Sequence, residues 1–420
     1  MRLRTACGSH DGRVIIPTRA AGLEALDDFV PRAGGAYARD RNHDLGARRD
    51  NVSGQSPYLR HRLVTEPEVV AAVLSRHSQG AAEKFVQEVF WRTYWKGWLE
   101  QNPEVWRRYR RDVAELAAGD LPPGYAEAIA GRTGIDALDA WVHELIDTGY
   151  LHNHTRMWFA SIWIFTLGLP WQLGADLFHR HLLDGDAASN TLSWRWVAGL
   201  QTKGKTYLAT AENISRFTEG RFSPTGLAET ARALTEEPLP SRTPFETDDV
   251  VGAVEGRVGL LLHEEDLEPE SLLAERPGLA GRLVAAAVAG DAEERSPGGA
   301  SGVVTAFTVG ALEDAAGRAR DGDGRAARLL SDARPPTIAS WAVTERLDTV
   351  VVPYAPIGPV HERLDALRPV LASEGIGLAT VRRGWDSEAW PHASRGFFPF
   401  RESIPSLVRR SGLASGGPSV

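Results

Sequence analysis

The sequence predicts a multidomain chain, all-α in its first half and α/β in its second. Three observations carry this. From Glu66 to about Phe222 the apolar residues recur at three- and four-residue spacing, and no period-2 alternation interrupts them. After Pro224, short β-like runs alternate with helical segments, the pattern of a small, mostly parallel sheet. Residues 224–249, between the two, are rich in Pro, Thr and Glu and read as a linker. The expected division is therefore a disordered start (1–16), an all-α domain (17–223), the linker (224–249), an α/β domain (250–411) and a disordered tail (412–420).

In order along the chain, Pro17 is expected to open a helix that closes near Gly34-Gly35. Residues 36–57, charged and carrying Asn, Gly and Pro, read as loop. Phe85, Glu88, Trp91, Arg92 and Trp95 fall on one helix face. Gly131 to Leu167 holds two helices broken near Gly149. The β-like runs of the second half are Val258–Leu267, Val303–Val309, Asp348–Tyr354 and Ile376–Val381, with a helix over Val360–Glu374. Residues 289–302 and 316–326, rich in Gly, Ala, Arg and Asp, read as loops.

Composition narrows the class. The apolar share of 43% and the charged share of 24% are those of a soluble globular chain. No run of about 18 apolar residues predicts a membrane span, and the start lacks the apolar core of a signal peptide, so the cytoplasm is expected. The single cysteine, Cys7, excludes a disulfide framework, a cysteine zinc site and an iron–sulfur cluster. The net charge of −8 is uneven: residues 1–221 balance at +1 and residues 222–420 at −9. The helical half can therefore still carry a local basic groove for a polyanion.

Chemistry-bearing patterns concentrate in that half. Ten of the thirteen tryptophans lie between Trp91 and Trp196, and an oxidisable crowd of indoles beside fixed polar groups suggests a redox cofactor. Gly199 to Thr206 spells GxxxxGKT, but it follows a helical stretch rather than a buried strand, so it reads as a Gly/Lys turn and not a nucleotide loop. His152/His154 and His179/His181 are two apart, which points the rings in different directions on a helix, so no metal site is expected. Glu88 and Arg92 are placed for an i,i+4 ion pair. Asn153, Arg156 and Met157 share a face, with Arg156 able to pair with Asp184.

Taken together and in order, six segments resemble the FAD-binding domain of the DNA photolyase/cryptochrome family, from about Tyr37 to Phe222. They are Tyr37-x-x-x-Arg41-Asn42, Ser53-Gly54-Gln55-Ser56-Pro57-Tyr58-Leu59, Glu88-x-x-Trp91-Arg92, Gly131 to Asp136, His152-Asn153-x-x-Arg156-Met157, and Asp184-Gly185-Asp186 through Asn190 to Trp194 and Trp196. The resemblance implies FAD as cofactor, bent inside a helical domain. It assigns Tyr37, Ser53, Gly54, Gln55, Ser56 and Arg92 to the diphosphate and nearby sugar, where hydroxyls and a guanidinium suit an anion. It assigns Asp184, Gly185 and Asp186 to the ribityl chain and flavin edge, with Arg156 paired to Asp184, Asn153 close by, and Asn190 facing flavin N5.

The implied activity is light-driven electron transfer that splits cyclobutane pyrimidine dimers in UV-damaged DNA. The dimer is flipped out of the duplex, hydrogen-bonded by Glu88 and Asn153, sandwiched by Trp91 and Trp196, and lined by Met157. The alternative is a cryptochrome-like signalling flavoprotein without repair. Three departures from the family pattern stand out. Val52 replaces a threonine. Trp194 and Trp171 match the two inner electron-transfer tryptophans, but ungapped spacing puts Ala128 at the outer one. The usual N-terminal α/β domain is absent and an α/β segment follows instead, which removes the usual ground for expecting an antenna pigment and suggests a permuted or degenerate relative of that domain.

Overall fold

The computed structural model describes residues 15–245, 254 and 256–413. Most of the expected disordered start and tail lies outside the described residues, as do residues 246–253. The first half is helical. Helix α1 (Arg19–Phe29) is capped by Thr18, whose side chain accepts from the Ala21 N–H, so Pro17 stands before the cap rather than in the first turn. The stretch expected as loop contains α2 (Gly35–Asp40) and α3 (Ser56–Arg60). Here tertiary packing overrides weak local signals: the Tyr37 ring of α2 sits against Phe29 and Phe85, at 5.9 and 5.1 Å between centroids.

The helices α4 (Glu66–Leu74), α5 (Glu83–Glu100), α6 (Pro103–Ala118), α7 (Tyr125–Ile129), α8 (Asp136–Thr148) and α9 (Asn153–Ser161) follow. The expected break at Gly149 is a left-handed C-cap with φ 68°. Helix α9 widens into a π turn over Ile162–Thr166. Then come α10 (Trp171–His181), α11 (Ala187–Val197) and α12 (Ala211–Phe217). Residues 224–245 form no helix or strand, yet they are strapped to this half. The Leu234 N–H donates to the Ala198 carbonyl, Arg108 donates to the carbonyls of Glu237 and Pro238, and Arg195 pairs with Glu236.

The second half holds five parallel strands: β1 (Val258–Leu262), β2 (Leu283–Val288), β3 (Arg328–Leu329), β4 (Thr349–Pro353) and β5 (Gly377–Val381), in the order β3-β2-β1-β4-β5. Around them lie α13 (Pro269–Ala274), α14 (Pro277–Ala280), α15 (Gly302–Arg318), α16 (Pro335–Thr344), α17 (Pro359–Ser373), α18 (Gly384–Ala389) and α19 (Phe397–Arg410). The expected strand Val303–Val309 is helix, in α15. Its buried residues Val304, Phe307, Thr308, Ala311, Leu312 and Ala315 repeat at helical spacing, and Ser301 caps it, so the β-branched run packs along one helix face. Strand β2, LVAAAV, escapes the sequence reading because its alanines carry little β preference. It is nonetheless a central, buried strand.

Both faces of β1 are covered. Leu260 and Leu262 join the apolar core that continues into the helical half, whereas Leu261 faces a second core with Val350, Val352 and Leu367. In a parallel sheet of this order the ligand crevice lies beyond the strand ends where the order reverses, between β1 and β4. That edge is used for docking here. Past β1, Glu264, Glu265 and Asp266 are buried against Arg60, His61 and Arg62 of the helical half. Arg62, with a left-handed φ of 46°, also holds Asp386 at 2.6 Å. No helix of the described residues is long and apolar enough to cross a membrane.

Candidate cofactor and substrate site

The link between α10 and α11 fixes the first two acidic groups. Asp186 caps α11, one carboxylate oxygen accepting from the Ser189 N–H at 2.8 Å and the other pairing with Arg92 of α5. Burial opposes ionisation of Asp186, but Arg92 and Lys96 outweigh it and hold the carboxyl down at about 2. Arg156 of α9 reaches Asp184 at 3.0 Å while its Nε donates to the Leu151 carbonyl. Burial is again outweighed, here by Arg156 and Arg92, so Asp184 also lies below the ordinary carboxylate value. The expected Arg156–Asp184 pair is thus present, and Asn190 lies buried on α11, its amide donating to the Ala175 carbonyl at 2.7 Å.

The expected Glu88–Arg92 pair does not form, because each group has a partner from elsewhere in the chain: Arg41 for Glu88 and Asp186 for Arg92. On α3 and its approach, the Gln55 amide donates to the Gly22 carbonyl at 3.0 Å, and Gly54 takes a left-handed φ of 64°. The Ser53 hydroxyl accepts from the Gln55 N–H. Asn153 opens α9 exposed, with Met157 half-buried one turn on. Trp196 stacks on Tyr207 at 5.8 Å. Trp91 has a neighbour that nothing in its own segment announces: Phe397 of α19 lies flat on its ring, with centroids 3.5 Å apart and planes 11° apart. Only the aromatic run GFFPF, about 300 residues away, could have signalled it.

The remaining patterns fall away from this centre. Gly199 to Thr206 forms turns after α11 with no strand before it, as the phosphate-loop pattern would require. Among the described residues no three metal-binding side chains cluster. An open cleft of about 1010 Å³ is lined by residues of α6, Trp171, Arg195 and the strap 230–237, and none of the candidate cofactor residues lines it.

Residues 85–225 match the family described as the FAD binding domain of DNA photolyase. This segment is similar to the photolyase/cryptochrome family. Among curated relatives, the deoxyribodipyrimidine photo-lyase of Streptomyces griseus is 33% identical over 171 residues, 39% of this chain and 35% of the relative. One from Thermus thermophilus is 32% identical over 196 residues, 46% of this chain and 45% of the relative. A solved class III photolyase from Agrobacterium tumefaciens is 27% identical, with 48% of this chain and 42% of that chain covered and a TM-score of 0.41. The chain spans less than half the length of these photolyases.

The photolyase-type residues present suit the dinucleotide named in that family's description. Asp184 Oδ1 and Gln55 Oε1 are buried with no hydrogen-bond partner, as is the Ser189 hydroxyl. Buried acceptors left open cost about 1–3 kcal/mol each, and the hydroxyls of a ribityl chain or sugar are donors of the right kind.

Proposed function

We propose that this chain is a photolyase-like FAD flavoprotein that splits cyclobutane pyrimidine dimers in UV-damaged DNA in the cytoplasm. In this reading residues 17–223 form the FAD-binding domain and residues 250–411 a permuted or degenerate relative of the α/β domain. The observation that carries it is the buried Arg156–Asp184 pair inside the segment matched by the family. Reduced FAD supplies one electron on illumination. Tyr37, Ser53, Gly54, Gln55, Ser56 and Arg92 would hold its phosphates and sugar, while Asn153, Arg156, Asp184, Gly185, Asp186 and Asn190 would hold its flavin end. Glu88 and Asn153 would hydrogen-bond the flipped dimer, with Trp91, Trp196 and Met157 forming its walls. Burial pushes the Glu88 carboxyl up against the pull of Arg41, which brings it closer to the protonated form that can donate to a pyrimidine carbonyl.

One observation favours the signalling reading. Phe397 occupies the ring face of Trp91 on which a base would stack. Illumination of the reduced, FAD-loaded chain with a dimer-containing oligonucleotide, followed by absorbance recovery of the thymines, decides between the two. Repair by the parent chain, or repair gained in Phe397→Ala, supports the lyase. Full FAD content without repair in either supports signalling, and a chain that takes up no FAD ends both.

A further inference from the structure

Reducing the proposed flavin by light to its repair-competent form would oxidise Trp194, which must then be refilled from outside. The sequence position expected to end that route is Ala128, a fully buried methyl group. The rings around Trp194 lead to a different end. Trp163 meets Trp194 edge to face at 6.3 Å between centroids, and Trp163 meets Tyr125 in the same manner at 6.0 Å. Both indoles close over bare backbone at Gly174 of α10, where a Cβ would fall 2.3 Å from Trp194 and 2.9 Å from Trp163. Trp163 sits in the π turn Ile162–Thr166, a local widening frequent at functional sites. Its ring is fixed by a 2.9 Å hydrogen bond from Nε1 to the Pro170 carbonyl.

Tyr125 stands on α7 one turn before Ala128, hence on the same face of that helix. The missing ring is thus supplied by the same short helix from an earlier position. Along Trp194, Trp163 and Tyr125 the exposures are 2%, 0% and 8%, so Tyr125 is the most exposed ring of the line. Electron tunnelling falls steeply with distance, which favours rings in contact.

We propose that Trp163 and Tyr125 are electron-relay residues, with Tyr125 the outer donor of this chain. This rests on the flavin photochemistry proposed above. Bound oxidised flavin would supply, on excitation, the acceptor for one electron from Trp194; Trp163 then refills Trp194, and Tyr125 refills Trp163. The Tyr125 O–H bond breaks as that electron leaves, giving a neutral tyrosyl radical, and the proton passes to solvent. A dissolved thiol then returns one electron and one proton to the phenol. The rival line through Trp171 reaches Tyr109, stacked at 5.8 Å, whose buried hydroxyl has no hydrogen-bond partner to take a proton.

The test is blue illumination of the full flavin-loaded chain without added donor, read by electron paramagnetic resonance and transient absorption. The parent should give a tyrosyl radical. Tyr125→Phe, which removes only the hydroxyl, should lose it and recombine faster; Trp163→Phe should do the same; Tyr109→Phe should keep the signal. Retention of the tyrosyl radical in Tyr125→Phe, or its loss in Tyr109→Phe, overturns the relay while leaving the flavin reading intact. A parent chain that binds no flavin overturns both.

Discussion

Glu88 illustrates how much one side chain's role depends on a partner far away in sequence. Its helix neighbour Arg92 is within reach, yet Arg92 goes to Asp186 and Glu88 to Arg41, 47 residues earlier. Local spacing could place both groups on one face of α5 but could not choose between near and distant partners. The Arg156–Asp184 pair was legible because the two residues belong to segments whose chemistry complements each other within one resemblance. Removing the carboxylate should separate substrate handling from cofactor binding. Glu88→Ala leaves the contacts of Asp184, Asp186 and Gln55 untouched, so flavin content should change little. Dimer splitting should slow about twofold to tenfold, the loss of one neutral hydrogen bond of roughly 0.5–1.5 kcal/mol. Single-turnover repair beside flavin absorbance measures both, and repair at the parent rate would remove Glu88 from the substrate pocket.

At the scale of elements, the helical half was readable because its apolar period is long and sustained, whereas the sheet was readable only in part. β4 and β5 announce themselves with β-branched runs, β2 is alanine-rich, and the valines and threonines of α15 imitate a strand until their burial period is seen. Gly174 is a clear case of element packing that the pattern leaves silent. A glycine inside α10 costs about 1 kcal/mol of helix propensity relative to alanine, so isolated-helix reasoning favours Gly174→Ala. The packing argues the other way, since the added methyl would sit 2.3 Å from Trp194 Cη2 and 2.9 Å from Trp163 Nε1. Two buried indoles cannot both yield, and overpacking of this kind costs about 1–3 kcal/mol. The variant should therefore lower the urea midpoint while moving tryptophan fluorescence. An unchanged midpoint would mean that α10 and α11 separate without cost.

At the scale of the whole molecule, the two halves are joined by buried charge rather than by apolar contact alone. Arg62 is 1% exposed and answers Glu66, Asp266 and Asp386 at once. Arg62→Ala strands the buried carboxylates of Glu66 and Asp386, while Asp266 keeps Arg383, and should cost about 3–5 kcal/mol in denaturant unfolding. Acid should loosen the molecule in two stages. Burial pushes His152 down to about 4 and lowers His61 and His179, so these rings stay neutral in the fold but charge in the unfolded chain near pH 6.5. Between those values the unfolded state binds more protons, and stability falls as pH drops from 6.5 toward 4. Asp186 and Asp266, each held at about 2 against burial by arginines, add a second loss from about pH 4 down to 2. Glu100 and Asp386, raised by burial, take up protons in the fold and partly offset it. His152 offers a clean test, because it is also the N-cap of α9, its Nδ1 accepting from the His154 N–H. Asparagine caps as well but does not titrate, so His152→Asn, though it loses the Nε2 contact to the Arg41 carbonyl at every pH, should reduce the further loss between about pH 6.5 and 4. Urea midpoints collected across that range for both chains measure the difference, and parallel curves would assign the first stage to the other buried histidines, His61, His154, His179, His181 and His263.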